Sequence, residues 1–310
     1  MQNSINLVVA SDDNYAQHAA ITLLSAYDNC SEPQYLQCHI LDGGISPEKK
    51  EKIISSLAPY DSQVNFIQMD ATRFKQLYTS FQYTSAIYYR LDLPNVLSST
   101  MEKCIYVDCD LLFLDDIVKL WKMNLQGHPI GAVEDLGLMT SKKGLAGKAK
   151  SLGLTSNDKY FNSGVVVMDL EAWRKNDYSR QAIELASKHD FQSHDQDVLN
   201  KLFLGNWQEM DLRWNIIPPI TYLYPKIIFS SYCKEAIRAR NNPGILHYAG
   251  RYKAWEFAQH KNFNAYYYEL LQKSAFKNVP MPQLSKQNIG RNFTKELLRL
   301  KLADWLSRIL

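Results

Sequence analysis

Six short apolar runs punctuate the first 170 residues, and helical patterns fill gaps between them. The runs are INLVVAS (5–11), QCHILDG (37–43), QVNFIQMD (63–70), CIYVD (104–108), PIGAVED (129–135) and GVVVMDL (164–170). A helical stretch near 15–28 follows the first. After the second, SPEKKEKIISSL sets Ser46 as an N-cap and Pro47 at the first helical position. Strands that are apolar almost throughout bury both faces of a sheet, and alternation with helices predicts an α/β architecture with a largely parallel sheet. The 310 residues suffice for a sizeable core without covalent staples.

In such sheets ligands lie beyond the carboxyl ends of the strands. Asp12, Asp13 and Asn14 follow the first run, Asp42 the second, Asp108 and Asp110 the fourth, and Glu134 and Asp135 the fifth. An acidic edge of this kind attracts cations, and a metal would reconcile it with an anionic ligand.

Several classes are excluded on composition. No apolar stretch reaches the ~18 residues of a membrane span. The start, MQNSINLVVASDDNY, has neither a basic segment nor a long apolar one, so a cytoplasmic protein is expected. Five cysteines, an odd number without C-x-x-C spacing, argue against a disulfide framework or structural zinc. Cys104 and Cys109 read as small core residues. Residues 285–310 carry six Lys or Arg against two acids, so the tail is +4 and the remainder −1 of the net +3. A nearly neutral body lacks the basic face that nucleic acid requires.

Asp108 and Asp110 share one side of an extended segment and can converge on one point. Two such carboxylates repel unless a cation lies between them, and their hard oxygens suit Mg²⁺ or Mn²⁺. A turn after a strand also favours Asp, so the pair alone leaves both readings open. A nucleophile-and-acid aspartate pair of the haloacid dehalogenase kind is disfavoured, because Leu112 stands where that motif has Thr or Val.

Six segments occur in a telling order: ASDDNYA (10–16), YYRLDLP (88–94), YVDCDLLFLDDI (106–117), YFNSGVVVMDLEAWR (160–174), HDQDVLN (194–200) and HYAGRYKAW (247–255). Together they resemble glycosyltransferase family 8, the retaining, metal-dependent enzymes of the Rossmann-like GT-A fold. The likeness is greatest to bacterial lipopolysaccharide and lipooligosaccharide galactosyl- and glucosyltransferases, and covers residues 5 to about 270. It implies a GT-A domain over 1–280 and a separate basic tail over 281–310.

The resemblance also implies roles. Ala10, Asp12 and Asn14 would hold uracil and ribose, with Tyr15 stacked on the base. Asp108, Asp110 and His247 would ligate Mn²⁺, with Mg²⁺ the alternative, and the ion would bridge the phosphates of UDP-galactose or UDP-glucose. Gly250 would let the backbone approach the phosphates, and Lys253 would face the diphosphate. Arg90 would touch the donor sugar and phosphate; its bland alternative is a surface ion pair with Asp92 or a neighbour. Asp135 and Asn162 would bind sugar hydroxyls, although the doublet leaves Glu134 in competition with Asp135. Asp195 and Gln196 would flank the anomeric carbon; Asp197 reads, apart from the resemblance, as a residue that caps or braces their helix. Cys109, between the metal aspartates, would bring its backbone to the ribose. An amide is a poor nucleophile, so a front-face route with Gln196 as electrostatic stabiliser is favoured over double displacement. The Lys- and Gly-rich stretch 136–159 reads as a solvated helix, with an acceptor loop as the alternative.

The expected reaction is therefore hexosyl transfer to a saccharide, in surface-glycan synthesis. A glycogenin-like self-glucosylating primer and a non-catalytic nucleotide-sugar-binding protein are the alternatives. The tail FTKELLRLKLADWLSRIL (293–310) sets Leu298, Leu302, Trp305 and Ile309 at helical spacing among Lys295, Arg299 and Lys301. This pattern suggests docking on an anionic membrane surface, where a lipid-linked acceptor would lie; the alternatives are packing on the body of the protein or pairing of two chains.

Overall fold

A computed structural model describes residues 4–79, 84–250, 253–256, 263–280, 298, 299, 301–306 and 308. Its centre is a sheet of β1 (Ile5–Ser11), β2 (Leu36–Asp42), β3 (Val64–Gln68), β4 (Lys103–Val107), β6 (Ile130–Glu134), β7 (Phe161–Asp169) and β8 (Gln208–Met210). The strand order is β3-β2-β1-β4-β7-β6-β8, and β5 (Leu111–Phe113) pairs separately with β9 (Ile245–His247). Among the described residues up to 280, the α-helices of eight residues or more are α1 (Ala16–Asp28), α2 (Pro47–Leu57), α3 (Lys142–Leu152), α4 (Tyr178–Lys188), α5 (His194–Leu202), α6 (Cys233–Asn241) and α7 (Phe263–Lys273).

The strand period of two sorts the core into two layers. Leu7, Val9, Ile105, Val107, Val165 and Val167 pack against α1 and α2 on one face. Val8, Tyr106, Ala132, Val166 and Met168 face the other, with Tyr88 and Trp173. Both faces are covered, which is why these strands read as unbroken apolar runs.

All strands of the large sheet run parallel except β7, which is antiparallel to β4 and β6. Strand β7 begins at Phe161, earlier than the apolar run suggests, so Asn162 and Ser163 lie within it. Reversal carries its first residues to the edge where β1, β4 and β6 end. A register shift opposite Ala132 and Val133 frees Ser163 and Gly164 from β6, and Gly164 O instead accepts from Asp108 N at 2.9 Å.

The basic tail is helical where described. Ala303 is buried, Leu306 packs on the core, Asp304 pairs with Arg240, and Arg299 lies over the Tyr224 ring. Leu298, Leu302 and Trp305 face outward, 64%, 50% and 58% exposed. The helix thus packs on the body and presents an apolar row to solvent. Lys286, Arg291, Lys295, Leu297, Leu300 and Ile309 lie outside the described residues. Among the described residues, no helix is long and apolar enough to cross a membrane.

Candidate active site

A cleft of about 380 Å³ opens at the carboxyl edge of β1 and β4, within the usual range for small-molecule sites. Ala10, Asp12 and Tyr15 line it from β1 and the start of α1. Asp108, Cys109 and Asp110 do so from the β4–β5 turn, Asn162 from β7, and Asp195 and Gln196 from α5. Arg90, His247, Gly250 and Lys253 complete the wall. Asn14 is exposed and is not among the lining residues.

The acids at the strand ends divide by what they touch. Asp42 accepts from Gly44 N and Ile45 N and pairs with Lys50, so it fastens its own loop. Asp13 turns to Ser46 N and Lys49. Asp12 accepts from Tyr15 N at 3.1 Å and opens α1. Glu134 is buried against Tyr232 and Lys159. Asp135, the next residue, accepts from Gln196 Nε2 at 3.2 Å and lies just behind the cleft. Of the doublet, Asp135 touches a side chain lining the cleft, whereas Glu134 bonds Tyr232 and Lys159.

Asp108, Asp110 and His247 offer ligand atoms that all lie within 4.8 Å of one another. Pairing of β5 with β9 achieves this, because Leu111 stands opposite His247 and Tyr248 N donates to Asp110 O at 2.8 Å. His247 Nδ1 meets Asn215 Oδ1 at 2.8 Å, and Asn215 Nδ2 donates to Asn162 Oδ1 at 2.8 Å. Asn215 thus presents its carbonyl to the imidazole, which places the proton on Nδ1 and turns Nε2 to the carboxylates. Gly164 lines this corner: a Cβ there would run into His247 Cε1 and Asp108 Oδ2. Two carboxylates and an imidazole held in a cradle fit a divalent ion; the nitrogen suits Mn²⁺ better than Mg²⁺, which is usually bound through oxygen.

The carboxylates are also countercharged by the chain. Lys253 Nζ bonds Asp110. Burial pushes the Asp110 carboxyl up, but Lys253 and His247 outweigh it and hold the group well below the usual range. Arg90, on the 3₁₀ helix Ser85–Asp92, lies over the Tyr106 ring at 4.4 Å. It donates to Asp108 Oδ1 at 2.6 Å and Ser163 O at 2.7 Å, and its Nε stands 3.1 Å from Asp195 Oδ2 as an ion pair without hydrogen-bond alignment. The alternative pair with Asp92 does not form, since Asp92 is taken by Arg73. Burial raises the Asp195 carboxyl to about 6 even with Arg90 pulling it down.

Gln196 is held at both ends of its amide. Oε1 accepts from Asn162 Nδ2 and Ser163 N, each at 3.1 Å, while Nε2 donates to Asp135 and to Tyr160 Oη at 3.1 Å. Gly250 has φ of +87°, a left-handed conformation that disfavours any side chain. Tyr15 is exposed at the rim, edge-on to Trp255, and Trp255 stacks on His18 at 3.5 Å. Sequence reasoning missed Asn215, Tyr160, Ser163 and Gly164 as parts of the site. Tyr160, Ser163 and Gly164 fall inside YFNSGVVVMDLEAWR, but Asn215 carries no signal at all.

Comparison with known proteins agrees with this geometry. The profile described as Glycosyl transferase family 8 matches residues 6–259. General stress protein A of Bacillus subtilis is 28% identical over 91% of this chain and 98% of its own length. The lipopolysaccharide 1,2-glucosyltransferase of Escherichia coli is 23% identical over 97% of this chain and 87% of its own. The crystal structure of the galactosyltransferase LgtC with donor and acceptor sugar analogues superposes with a TM-score of 0.73. That match has 25% identity and covers 92% of this chain and 100% of LgtC.

Proposed function

The chain belongs to glycosyltransferase family 8, with the GT-A fold, and from that premise we propose that it moves galactose or glucose from a UDP-sugar to a saccharide hydroxyl with retention at the anomeric carbon. The observation that carries the reading is the convergence of Asp108, Asp110 and His247 at a cleft that also holds Arg90, Gln196 and Lys253.

Each residue has a chemical task. A Mn²⁺ ion bound by Asp108, Asp110 and His247 would supply Lewis-acid stabilisation of the diphosphate leaving group. Lys253 and the left-handed turn at Gly250 bind the phosphates. Ala10, Asp12 and Tyr15 bind the nucleoside, with the Cys109 backbone at the ribose, and Asn14 stands outside this contact. Asn162 and Asp135 orient the sugar. Gln196 lies under its lower face and Asp195 beside it. The carboxylate of Asp195 is occupied by Arg90 and by Ser163 Oγ at 2.9 Å, and the Gln196 carbonyl is twice hydrogen-bonded. Neither is a free nucleophile. The acceptor hydroxyl therefore attacks from the leaving-group side, its oxygen bonding the anomeric carbon as the bond to UDP breaks. The proton passes to a phosphate oxygen of the departing UDP.

The test is release of UDP from a panel of UDP-sugars with and without Mn²⁺, using Asp108→Asn as control. Metal-dependent release from one sugar, lost in the variant, is expected. Release from none, even with lipid-linked glycans present, overturns the reading in favour of a binding protein. Sugar found on the protein itself without acceptor favours the primer reading.

The outward row of Leu298, Leu302 and Trp305 supports docking of the tail on an anionic membrane, with a lipid-linked saccharide as acceptor. These side chains are exposed, so replacing all three by Glu should leave the fold intact. Binding to vesicles containing anionic lipid should fall at least ~10-fold in a flotation assay. Unchanged binding removes the membrane role.

A further inference from the structure

The site also contains a buried cation that the reaction does not touch. Lys148 of α3, otherwise a solvated Lys-rich helix, is only 7% exposed. Its Nζ donates to Asp197 Oδ2 at 2.6 Å and to Ser193 Oγ at 2.8 Å. Asp197, 1% exposed, also accepts from Ser193 N at 2.9 Å and, through Oδ1, from Tyr160 Oη at 2.7 Å. The Tyr160 oxygen then accepts from Gln196 Nε2.

Every bond in this chain has one direction, which Asp197 sets at Tyr160 and which Ser163 N–H and Asp135 share at Gln196. An ionised carboxylate only accepts, so Tyr160 must give it the hydroxyl proton. Tyr160 can then only accept from Gln196, so Nε2 points to Tyr160 and Asp135, and Oε1 meets Ser163 N–H. Burial pushes the Tyr160 hydroxyl well above its usual range, with Asp197 adding to the rise, so this proton stays in place.

We propose that Lys148 is a positioning residue which, by pairing with the buried Asp197 carboxylate, helps fix through Tyr160 the orientation of the Gln196 amide at the donor sugar. The proposal rests on the reading of Gln196 as the group beneath that sugar. Lys148 approaches Asp197 from α3, Tyr160 from the start of β7, Tyr88 from the 3₁₀ helix, and His194 and Asp195 share its own helix. His194 is driven towards its neutral form by burial, against the pull of Asp197. Lys148 is thus the cation facing Asp197 among these groups.

The experiment uses the full chain with Mn²⁺ and its UDP-sugar, and compares K148M, K148R, Y160F and Q196A with wild type. Without its ammonium, the Asp197 carboxylate is left buried without its countercharge and holds Tyr160 less firmly in one direction. The kcat of K148M should therefore be about 30-fold below wild type, with donor KM within about threefold. K148R should regain most of the rate, because it restores the charge. Y160F keeps the Lys148–Asp197 pair and so its fold; its kcat should fall about 10-fold. Wild-type kcat in K148M, a loss confined to KM, no recovery in K148R, or wild-type kcat in Y160F overturns the proposal. If K148M does not fold, Y160F alone decides. Wild-type kcat in Q196A overturns the reading of Gln196 instead.

Discussion

Asp110→Asn will abolish divalent-metal binding and lower kcat/KM by at least ~10³-fold, a loss of ~4 kcal/mol of transition-state stabilisation. The carboxylate stands between His247 Nε2, 3.1 Å from Oδ1, and the Lys253 ammonium on Oδ2. Asparagine removes the negative charge and one oxygen ligand, and its amide nitrogen, kept away from the Lys253 ammonium, donates to His247 Nε2 and takes up the lone pair a metal needs. Mn²⁺ binding followed by electron paramagnetic resonance, with and without UDP, reads the metal directly, and UDP release reads turnover. Asp13→Asn is the matched control, since Asp13 also follows a strand but, among the described residues, its carboxylate bonds Ser46 and Lys49. It should leave metal affinity and kcat within about twofold. Retention by Asp110→Asn of activity within tenfold of wild type, at saturating Mn²⁺, would sink the metal-centre reading.

The contrast between Asp110 and Asp13 also marks how far the sequence could be read. Strands β1, β2, β4, β6 and β7 were legible because both sheet faces are buried and each strand is a largely apolar run, whereas the edge strand β3 showed only through Val64, Phe66 and Ile67. An apolar run also hides direction: GVVVMDL reads equally well parallel or antiparallel, and the reversal of β7 is what brings Asn162 and Gly164 to the edge. Strands β5, β8 and β9 have three residues each, too few to display a period. The β5–β9 pair joins Asp110 to His247 across 137 positions, a distance at which spacing carries no information; only the family resemblance connected them. The Glu134–Asp135 choice turns on a backbone direction at the end of β6. Lys148 was hidden in a helix whose other lysines are solvated, since a long aliphatic stem lets one ammonium cross to Asp197.

Arg90→Met should be the most damaging substitution away from the metal ligands, destabilising the fold by ~3–5 kcal/mol and cutting kcat/KM by ~10²-fold or more. The guanidinium side chain is 5% exposed and joins Asp108, 27% exposed, to Asp195, 10% exposed. Burial opposes its charge, but Asp108 and Asp195 more than compensate and hold its pKa above the ordinary value. Methionine can keep the contact with the Tyr106 ring but leaves two carboxylates and the Ser163 carbonyl without their donor. Asp195 already sits near 6 with the arginine present, so losing that partner drives its pKa higher. The folded state then holds a proton that the unfolded chain, near 3.9, releases. Stability therefore falls as pH rises from the unfolded pKa towards the raised folded one. Thermal unfolding of Arg90→Met should accordingly drop more steeply than wild type between pH 5 and 8. Arg90→Lys separates charge from geometry: one ammonium can restore part of the stability, yet it lacks the planar fork that reaches Asp108, Asp195 and Ser163 O together. Its melting temperature should recover further than its kcat/KM. If Arg90→Met melts like wild type and turns over within tenfold of it, Asp108 and Asp195 do not depend on Arg90, and the electrostatic core of the site must lie in the metal alone.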